Sequence, residues 1–185
     1  MKPINNYENI QASTGEFSKP TAGGYIIRIL EVNDVPLNSK TGKGDYLKID
    51  YDICEGEFAN YYKDLNKKFG GDWYANFIRS YKEKALGMFK HFTNCVEESN
   101  RGFEWDWNEK ELIGKKLGVV FQEEEYIKND GSVGVRLIVN SIKTVEQIVN
   151  GDFKVPDRKK VAVNNQTATN DNFVEMDGTD DLPFS

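Results

Sequence analysis

Apolar and polar side chains alternate in several short segments of this chain, which predicts a mainly β fold. Residues 24–33 are β-branched and apolar on both sides, a pattern typical of a strand that is covered on both faces. Residues 45–55 alternate cleanly and predict a second, half-buried strand. Its buried face is predicted to carry Leu47, Ile49, Tyr51 and Ile53, and its outward face Tyr46, Lys48, Asp50 and Asp52.

The middle of the chain predicts a third strand followed by a helix. Residues 58–65 can form the strand, and the paired glycines within residues 67–72 end it. From residue 76 to 98 the apolar side chains recur at steps of three and four, which predicts an amphipathic helix. Arg79 and Lys90 fall on its opposite face.

Two further strands follow. Residues 112–125 alternate again, and Asn129-Asp130-Gly131 is a strong hairpin signal because Asp-Gly suits the positive φ that such a turn requires. Alternation resumes from Val133 to Val139, and residues 141–150 predict a short closing helix. Three strands, one helix and two strands is the order of a five-stranded OB-fold barrel, whose helix lies between the third and fourth strands. Small mixed α+β sheets can share this order.

The pattern also divides the chain. Residues 1–22 show no clear period and predict a flexible N-terminal arm, and residues 23–155 form the predicted OB-fold nucleic-acid-binding domain. Residues 156–185 turn polar, with few large apolar groups that could offset the entropy of ordering, so we expect a disordered acidic tail.

The charge distribution supports this division. The net charge is −6, but all 24 basic residues lie at or before Lys160, and the tail beyond it carries only acids. Within the body, residues 61–91 hold an excess of bases over acids. A basic surface beside a segregated acidic tail is compatible with a phosphate-bearing partner.

Sequence motifs for catalysis are missing. Residues 41–44 lack the flanking residues of a phosphate loop, and Glu123, Glu124 and Glu125 cannot converge on one metal ion from a strand. Cys54 and Cys95 are predicted to be free thiols, and His91 receives no role. We therefore expect a protein that is not an enzyme and uses no metal or cofactor. Without a signal peptide or membrane-spanning segment, a cytoplasmic location is expected.

Aromatic and basic side chains occur together, as in proteins that bind single-stranded nucleic acid by base stacking and phosphate contacts. In an OB fold, the loops joining the first two and last two strands flank the binding face. Trp105 and Trp107 are expected in the core instead, because the acids beside them would repel phosphate. The predicted DNA-binding residues are Lys40, Lys43, Tyr46, Lys48, Tyr61, Tyr62, Lys63, Lys67, Lys68, Phe69, Trp73, Arg79, Lys128 and Arg136.

The C-terminal residues place an apolar tip on this acidic tail, in the sequence Asp180-Asp181-Leu182-Pro183-Phe184-Ser185. This ending resembles that of the single-stranded DNA-binding protein family, whose bacterial and phage members close with Asp-Ile/Leu-Pro-Phe. The resemblance implies that Asp180, Asp181, Leu182, Pro183 and Phe184 bind replication and recombination proteins. Unlike the family pattern, the chain runs one residue beyond Phe184. Residues 20–160 also look like small phage proteins encoded among replication and recombination genes.

These observations together predict a phage-encoded protein that coats single-stranded DNA during replication, recombination or repair, as a homo-oligomer of two or more copies. Two alternatives stay open. One is an adaptor that uses the barrel to bind protein, and the other is a small nuclease.

Overall fold

The structure is a computed structural model that describes residues 18–73 and 75–161. One five-stranded sheet dominates it, together with three helices. The elements, in chain order, are β1 (Gly23–Val35), β2 (Tyr46–Ile53), α1 (Tyr61–Phe69), β3 (Asn76–Ser80), α2 (Leu86–Ser99), β4 (Lys116–Ile127), β5 (Val133–Lys143) and α3 (Val145–Asn150). Short 3-10 turns lie at Glu83–Ala85 and Glu109–Leu112.

The sheet is antiparallel throughout, with the strand order β3-β2-β1-β4-β5. β3 and β5 are its two edges and do not pair with each other, so the sheet is not closed into a barrel. The mainly β prediction and the number of strands are confirmed, whereas the predicted closed barrel is not found. The helix predicted between the third and fourth strands is also present, as α2.

The core lies between the sheet and α2. The predicted inward face of β2 is buried as expected, and α2 adds Phe89, Phe92 and Val96 from its apolar side. The two central strands also contribute to the core, and Ile27 of β1 and Phe121 of β4 are fully buried. Burial of these side chains is the main stabilising contribution of the fold.

Two element predictions in the middle of the chain were wrong. Residues 58–65 do not form the third strand, because the chain turns at Asn60, whose φ is 63°, into α1. The third strand is the five-residue β3, within the region predicted as helix. β3 is too short for its alternation of apolar and polar side chains to be recognised in the sequence. Only Phe77 and Arg79 point inward, and Arg79 is a cation, so a single apolar side chain marks the inward face.

The outward face predicted for β2 is also only partly correct. Asp50 and Asp52 are 5% and 4% exposed, because the second half of the strand is covered on both sides. Alternation along a strand indicates which side chains share a face, but it does not reveal whether a later segment covers the polar face.

The end of the described chain runs along β4 as the C-terminal strap, residues 152–161. Lys159 pairs with β4 in parallel, because its backbone N–H donates to Glu123 O and its carbonyl accepts from Glu125 N–H, each at 2.9 Å. The ring of Phe153 lies against Gly24. The strap continues past residue 155, where the packed domain was predicted to end. The arm residues 1–17 and the tail residues 162–185 lie outside the described residues.

Gly118 in β4 lies where the sheet meets α3. A Cβ at this position would be 2.5 Å from the carbonyl oxygen of Thr144 and 2.6 Å from Ile148 Cγ1. Thr144 is the N-cap of α3 and forms a capping box with Gln147, so the backbone there has little freedom to move.

We predict that Gly118→Ala lowers the free energy of unfolding by about 1–3 kcal/mol, because overpacking forces α3 away from β4. Urea denaturation followed by circular dichroism measures this. Gly87→Ala is the matched control, since a Cβ at this helical position meets no atom within 4 Å apart from its chain neighbours and the backbone of its own helix. It should leave stability unchanged or raise it, by up to about 1 kcal/mol. Equal effects of the two substitutions would contradict the packing argument.

Candidate nucleic-acid interface

A groove of about 1050 Å³ separates α1 from the edge strand β5. We call it the α1–β5 groove. Its rings are Tyr51, Tyr61, Tyr62, Phe69 and Phe77, and its cations are Lys19, Lys68, Arg136 and Arg158. Aliphatic side chains of α1 and β5 form much of the remaining wall, and Glu123 is the one acid among the described lining residues.

The position of α1 depends on a carboxylate from β2. Asp52 accepts hydrogen bonds from the backbone N–H groups of Tyr62 and Lys63 at 3.0 and 3.1 Å, and from its neighbour Ile53 at 2.9 Å. The helix-capping residue Asn60 makes no side-chain cap of its own. Asp52 thus accepts from N–H groups of the first turn that would otherwise be unpaired. Its negative charge also interacts favourably with the positive, N-terminal end of the helix dipole.

Burial raises the pKa of Asp52 above its ordinary value, and the hydrogen bonds from Tyr62 and Lys63 oppose that rise. The carboxylate is therefore a buried charge whose cost is offset by backbone donors. Because Asp52 holds the start of α1, the two consecutive tyrosines at that start lie at the edge of the groove.

Four of the five rings of the groove, Tyr51, Tyr61, Tyr62 and Phe77, are in mutual contact as one cluster. The ring of Tyr62 meets Tyr51 at a centroid distance of 5.8 Å and Tyr61 at 5.1 Å, both edge to face. Tyr51 is 3% exposed and forms part of the floor, whereas Phe69 at the end of α1 is 70% exposed. Burial raises the pKa of Tyr51 and Tyr62, so both phenols are neutral at physiological pH. The cluster offers ring surface without negative charge.

The cations near β4 are held by its three consecutive glutamates. Arg136 and Lys159 both reach Glu124, at 2.6 and 2.7 Å. Arg158 pairs with Glu123 at 2.6 Å and approaches Glu125 at 4.0 Å. Because successive side chains of a strand point to opposite faces, Glu124 lies on the face opposite to Glu123 and Glu125, as predicted. All three acids thus lie close to cations from β5 or the C-terminal strap.

Five of the fourteen predicted DNA-binding residues line the groove, namely Tyr61, Tyr62, Lys68, Phe69 and Arg136. Lys63 and Lys67 are exposed on α1, and Lys67 lies 3.5 Å from Asp64. Lys68 also lies over the ring of Phe69, 5.3 Å from its centroid. The predicted concentration of rings and cations around residues 61–69 is thus found in one place.

The remaining predicted residues lie elsewhere. Lys40 and Lys43 are exposed in the loop between β1 and β2, and Lys128 is in the turn between β4 and β5. Tyr46 and Lys48 are half-buried at the start of β2, where Lys48 pairs with Asp50 at 3.1 Å. The two loops expected to flank the site therefore contribute no residue to the α1–β5 groove.

Trp73 and Arg79, two of the predicted DNA-binding residues, make contacts within the fold and do not line the groove. The indole N–H of Trp73 donates to the carbonyl oxygens of Tyr51 and Ala75, each at 3.2 Å. The guanidinium of Arg79 lies 4.7 Å from the centroid of Phe77 and donates to the carbonyl of Ile78. Burial lowers the pKa of Arg79 to about 10, so it stays charged at neutral pH. This cation belongs to the core side of β3.

Sequence reasoning missed two cations of the groove, Lys19 and Arg158. Lys19 falls in the segment predicted as a flexible arm, and Arg158 in the segment predicted as a disordered tail. Both reach the groove through contacts distant in sequence, for which no local pattern exists. The prediction for Trp107 was also wrong, because this side chain is 79% exposed, whereas Trp105 is half-buried against the core.

Other chemistry is limited in the described part of the chain. Its His, Cys, Asp and Glu side chains form no group of three or more that could hold a metal ion. Cys54 and Cys95 are free thiols, and burial raises the pKa of Cys95 to about 11. Across residues 18–73 and 75–161, no helix has the length and apolar character needed to cross a membrane.

No protein-family model and no curated protein matches this sequence.

The contact between Asp52 and α1 yields a prediction. Asp52→Ala removes the carboxylate that accepts from the first turn of α1, so the unfolding free energy should fall by about 2 kcal/mol. The helix should also become less ordered, which hydrogen exchange of residues 61–69 measures. Asp64→Ala, an exposed acid on the same helix, is the control and should change stability by less than about 0.5 kcal/mol. Unchanged exchange in the Asp52 variant would refute the proposed role of this carboxylate.

Proposed function

We propose that this protein binds single-stranded DNA in the α1–β5 groove, without marked sequence preference. The observation that carries the proposal is the combination of aromatic rings and cations along one open channel. Base stacking on aromatic side chains is tolerant of sequence because every base has a π face, and cations follow the phosphates. The other residues of the groove are mainly apolar, which suits the unstacked faces of bases.

The ion pairs of the groove affect how phosphate would bind. Arg136 and Arg158 already have carboxylate partners, so phosphate has to replace a glutamate or share its cation. Lys19 has no ion pair within the described residues. With at most four groove cations available, the slope of log K against log salt should be about −3 or shallower. Stacking then contributes a larger share of the affinity than it would in a strongly basic site.

The fold supports the same proposal. We propose that the sheet is an open form of the OB fold, a partly open Greek-key barrel that commonly binds oligonucleotides. Pairing of β3 with β5 would close the observed strand order into a ring, and α2 connects β3 to β4 as the OB helix does. In this chain α1 lies between β2 and β3 in sequence, and the groove occupies the gap where closure would occur.

The wider biological role is proposed from the sequence. The acidic tail with its Leu182-Pro183-Phe184 tip lies outside the described residues, and we propose that it recruits replication or recombination proteins. On the same basis we propose a phage-encoded, non-enzymatic protein that acts in the cytoplasm of the host and coats strands as a homo-oligomer.

Phe69→Ala tests the groove directly. Phe69 is 70% exposed, so its removal should not unfold the protein, but the loss of one stacking surface should weaken binding of an oligo-dT strand by about tenfold. Fluorescence anisotropy at several salt concentrations measures both the affinity and the salt slope.

Lys40→Ala is the matched control, because this cation is exposed but does not line the groove. The Lys40→Ala variant should bind the oligo-dT strand with the same affinity as the unmodified chain. If Lys40→Ala weakens binding and Phe69→Ala does not, the DNA path runs over the loop between β1 and β2 and the groove proposal fails. An absence of binding to single strands would favour the adaptor, and Mg²⁺-dependent cleavage of the strand would favour the nuclease.

Removal of residues 177–185 tests the division of labour between body and tail. DNA affinity should stay the same or rise, because the deleted acids repel phosphate. Retention of replication proteins from a host lysate should be lost. Loss of DNA binding on truncation would show that the tail belongs to the DNA site.

A further inference from the structure

A second, smaller cavity of about 270 Å³ has four aromatic walls and two acids. The aromatic walls are Tyr81, Phe89, Trp105 and Trp107, the acids are Asp34 and Glu109, and Leu47 completes the lining. None of these residues lines the α1–β5 groove. We call this cavity the tryptophan pocket.

The rings surround the cavity in several orientations. Phe89 and Trp107 are parallel to within 10°, with centroids 6.5 Å apart. Trp105 stands tilted to Trp107 at 6.1 Å, and Tyr81 lies 5.6 Å from Phe89. Faces of aromatic rings carry partial negative charge, so rings gathered around one space attract a cation.

The two acids strengthen that preference. The hydroxyl of Tyr81 donates to Asp34 Oδ1 at 2.9 Å, which fixes this carboxylate at the rim of the pocket. Glu109, the second acid, is far from Asp34 in the sequence and lies in the 3-10 turn that follows Trp107. Residues 104–111 carry four acids and a single base, Lys110. Such a site repels phosphate and attracts a positive group.

The backbone presents Trp107 outward at an energetic cost. This residue has a φ of 70°, a left-handed conformation that is a genuine outlier for a bulky side chain. The residue is nevertheless 79% exposed, so burial in the folded chain offsets little of the strain. Strained residues of this kind concentrate at binding and active sites.

We propose that the tryptophan pocket binds the guanidinium of an arginine presented by a basic segment of a partner protein. Guanidinium is planar, stacks on aromatic faces and pairs with carboxylates, whereas ammonium is more strongly hydrated. The cavity is large enough for one such side chain. The acidic residues 104–111 around it complement a basic segment. The partner would therefore bind on a surface separate from the α1–β5 groove, while DNA is bound.

A peptide titration of the full chain tests the proposal. The probe is an acetylated Gly-Arg-Gly amide, and its control is the same peptide with citrulline, which is neutral and of equal size. Backbone amide shifts of residues 104–111 are followed by NMR. The arginine peptide should produce saturable shifts, and the citrulline peptide should bind at least about fivefold more weakly.

Substitutions then locate the site. Trp107→Ala and Glu109→Gln should each weaken arginine binding about fivefold or more. Trp107 is so exposed that its loss should not affect folding. Glu146→Gln, an exposed acid on α3, makes the same change in net charge and should leave binding unaltered.

Four outcomes would overturn the proposal. The first three are equal binding of the citrulline peptide, equal effects of Glu109→Gln and Glu146→Gln, and full affinity in the Trp107 variant. A fourth is a loss of oligo-dT affinity in Trp107→Ala, which would assign the pocket to the DNA path. Because Phe69→Ala tests the groove and Trp107→Ala tests this pocket, either proposal can fail without the other.

Discussion

The buried carboxylate of Asp52 joins the sheet to the helix that forms one wall of the groove. A charge that is 4% exposed is tolerated only where donors replace water, and the first turn of α1 supplies two of them from its backbone. The same contact provides the cap that Asn60 does not make. One interaction therefore satisfies both the acid and the helix end, and it determines where Tyr61 and Tyr62 stand relative to β5.

The open edge of the sheet is the second constraint. Because β3 and β5 do not pair, backbone and side chains on both sides of the gap are available to line a channel. Glu124 and Glu123 of β4 hold the groove cations Arg136 and Arg158 in ion pairs. Ion pairs of this kind keep the cations in place and lower the positive charge that the groove presents. In a protein of net charge −6, the groove thus keeps a local excess of cations over acids among its described lining residues.

The two aromatic cavities have opposite electrostatic character. Among the residues that the structure describes, the lining of the α1–β5 groove has more cations than acids, and the lining of the tryptophan pocket has two acids and no cation. Rings in the first environment suit bases attached to phosphate, and rings in the second suit a positively charged side chain. The number of aromatic residues alone would not distinguish the two. The charged neighbours decide which ligand each cavity favours.

Local patterns were enough to predict four of the five strands, the hairpin at Asp130-Gly131, the inward face of β2 and the aromatic and basic character of residues 61–69. Each of these depends on neighbours a few positions apart, since side-chain period and turn chemistry are local properties. The burial of Asp52, the helical state of α1, the brevity of β3 and the arrival of Lys19 and Arg158 at the groove could not be predicted in this way. They arise from contacts between segments far apart in the chain, where packing overrides propensity and brings together residues that no spacing connects.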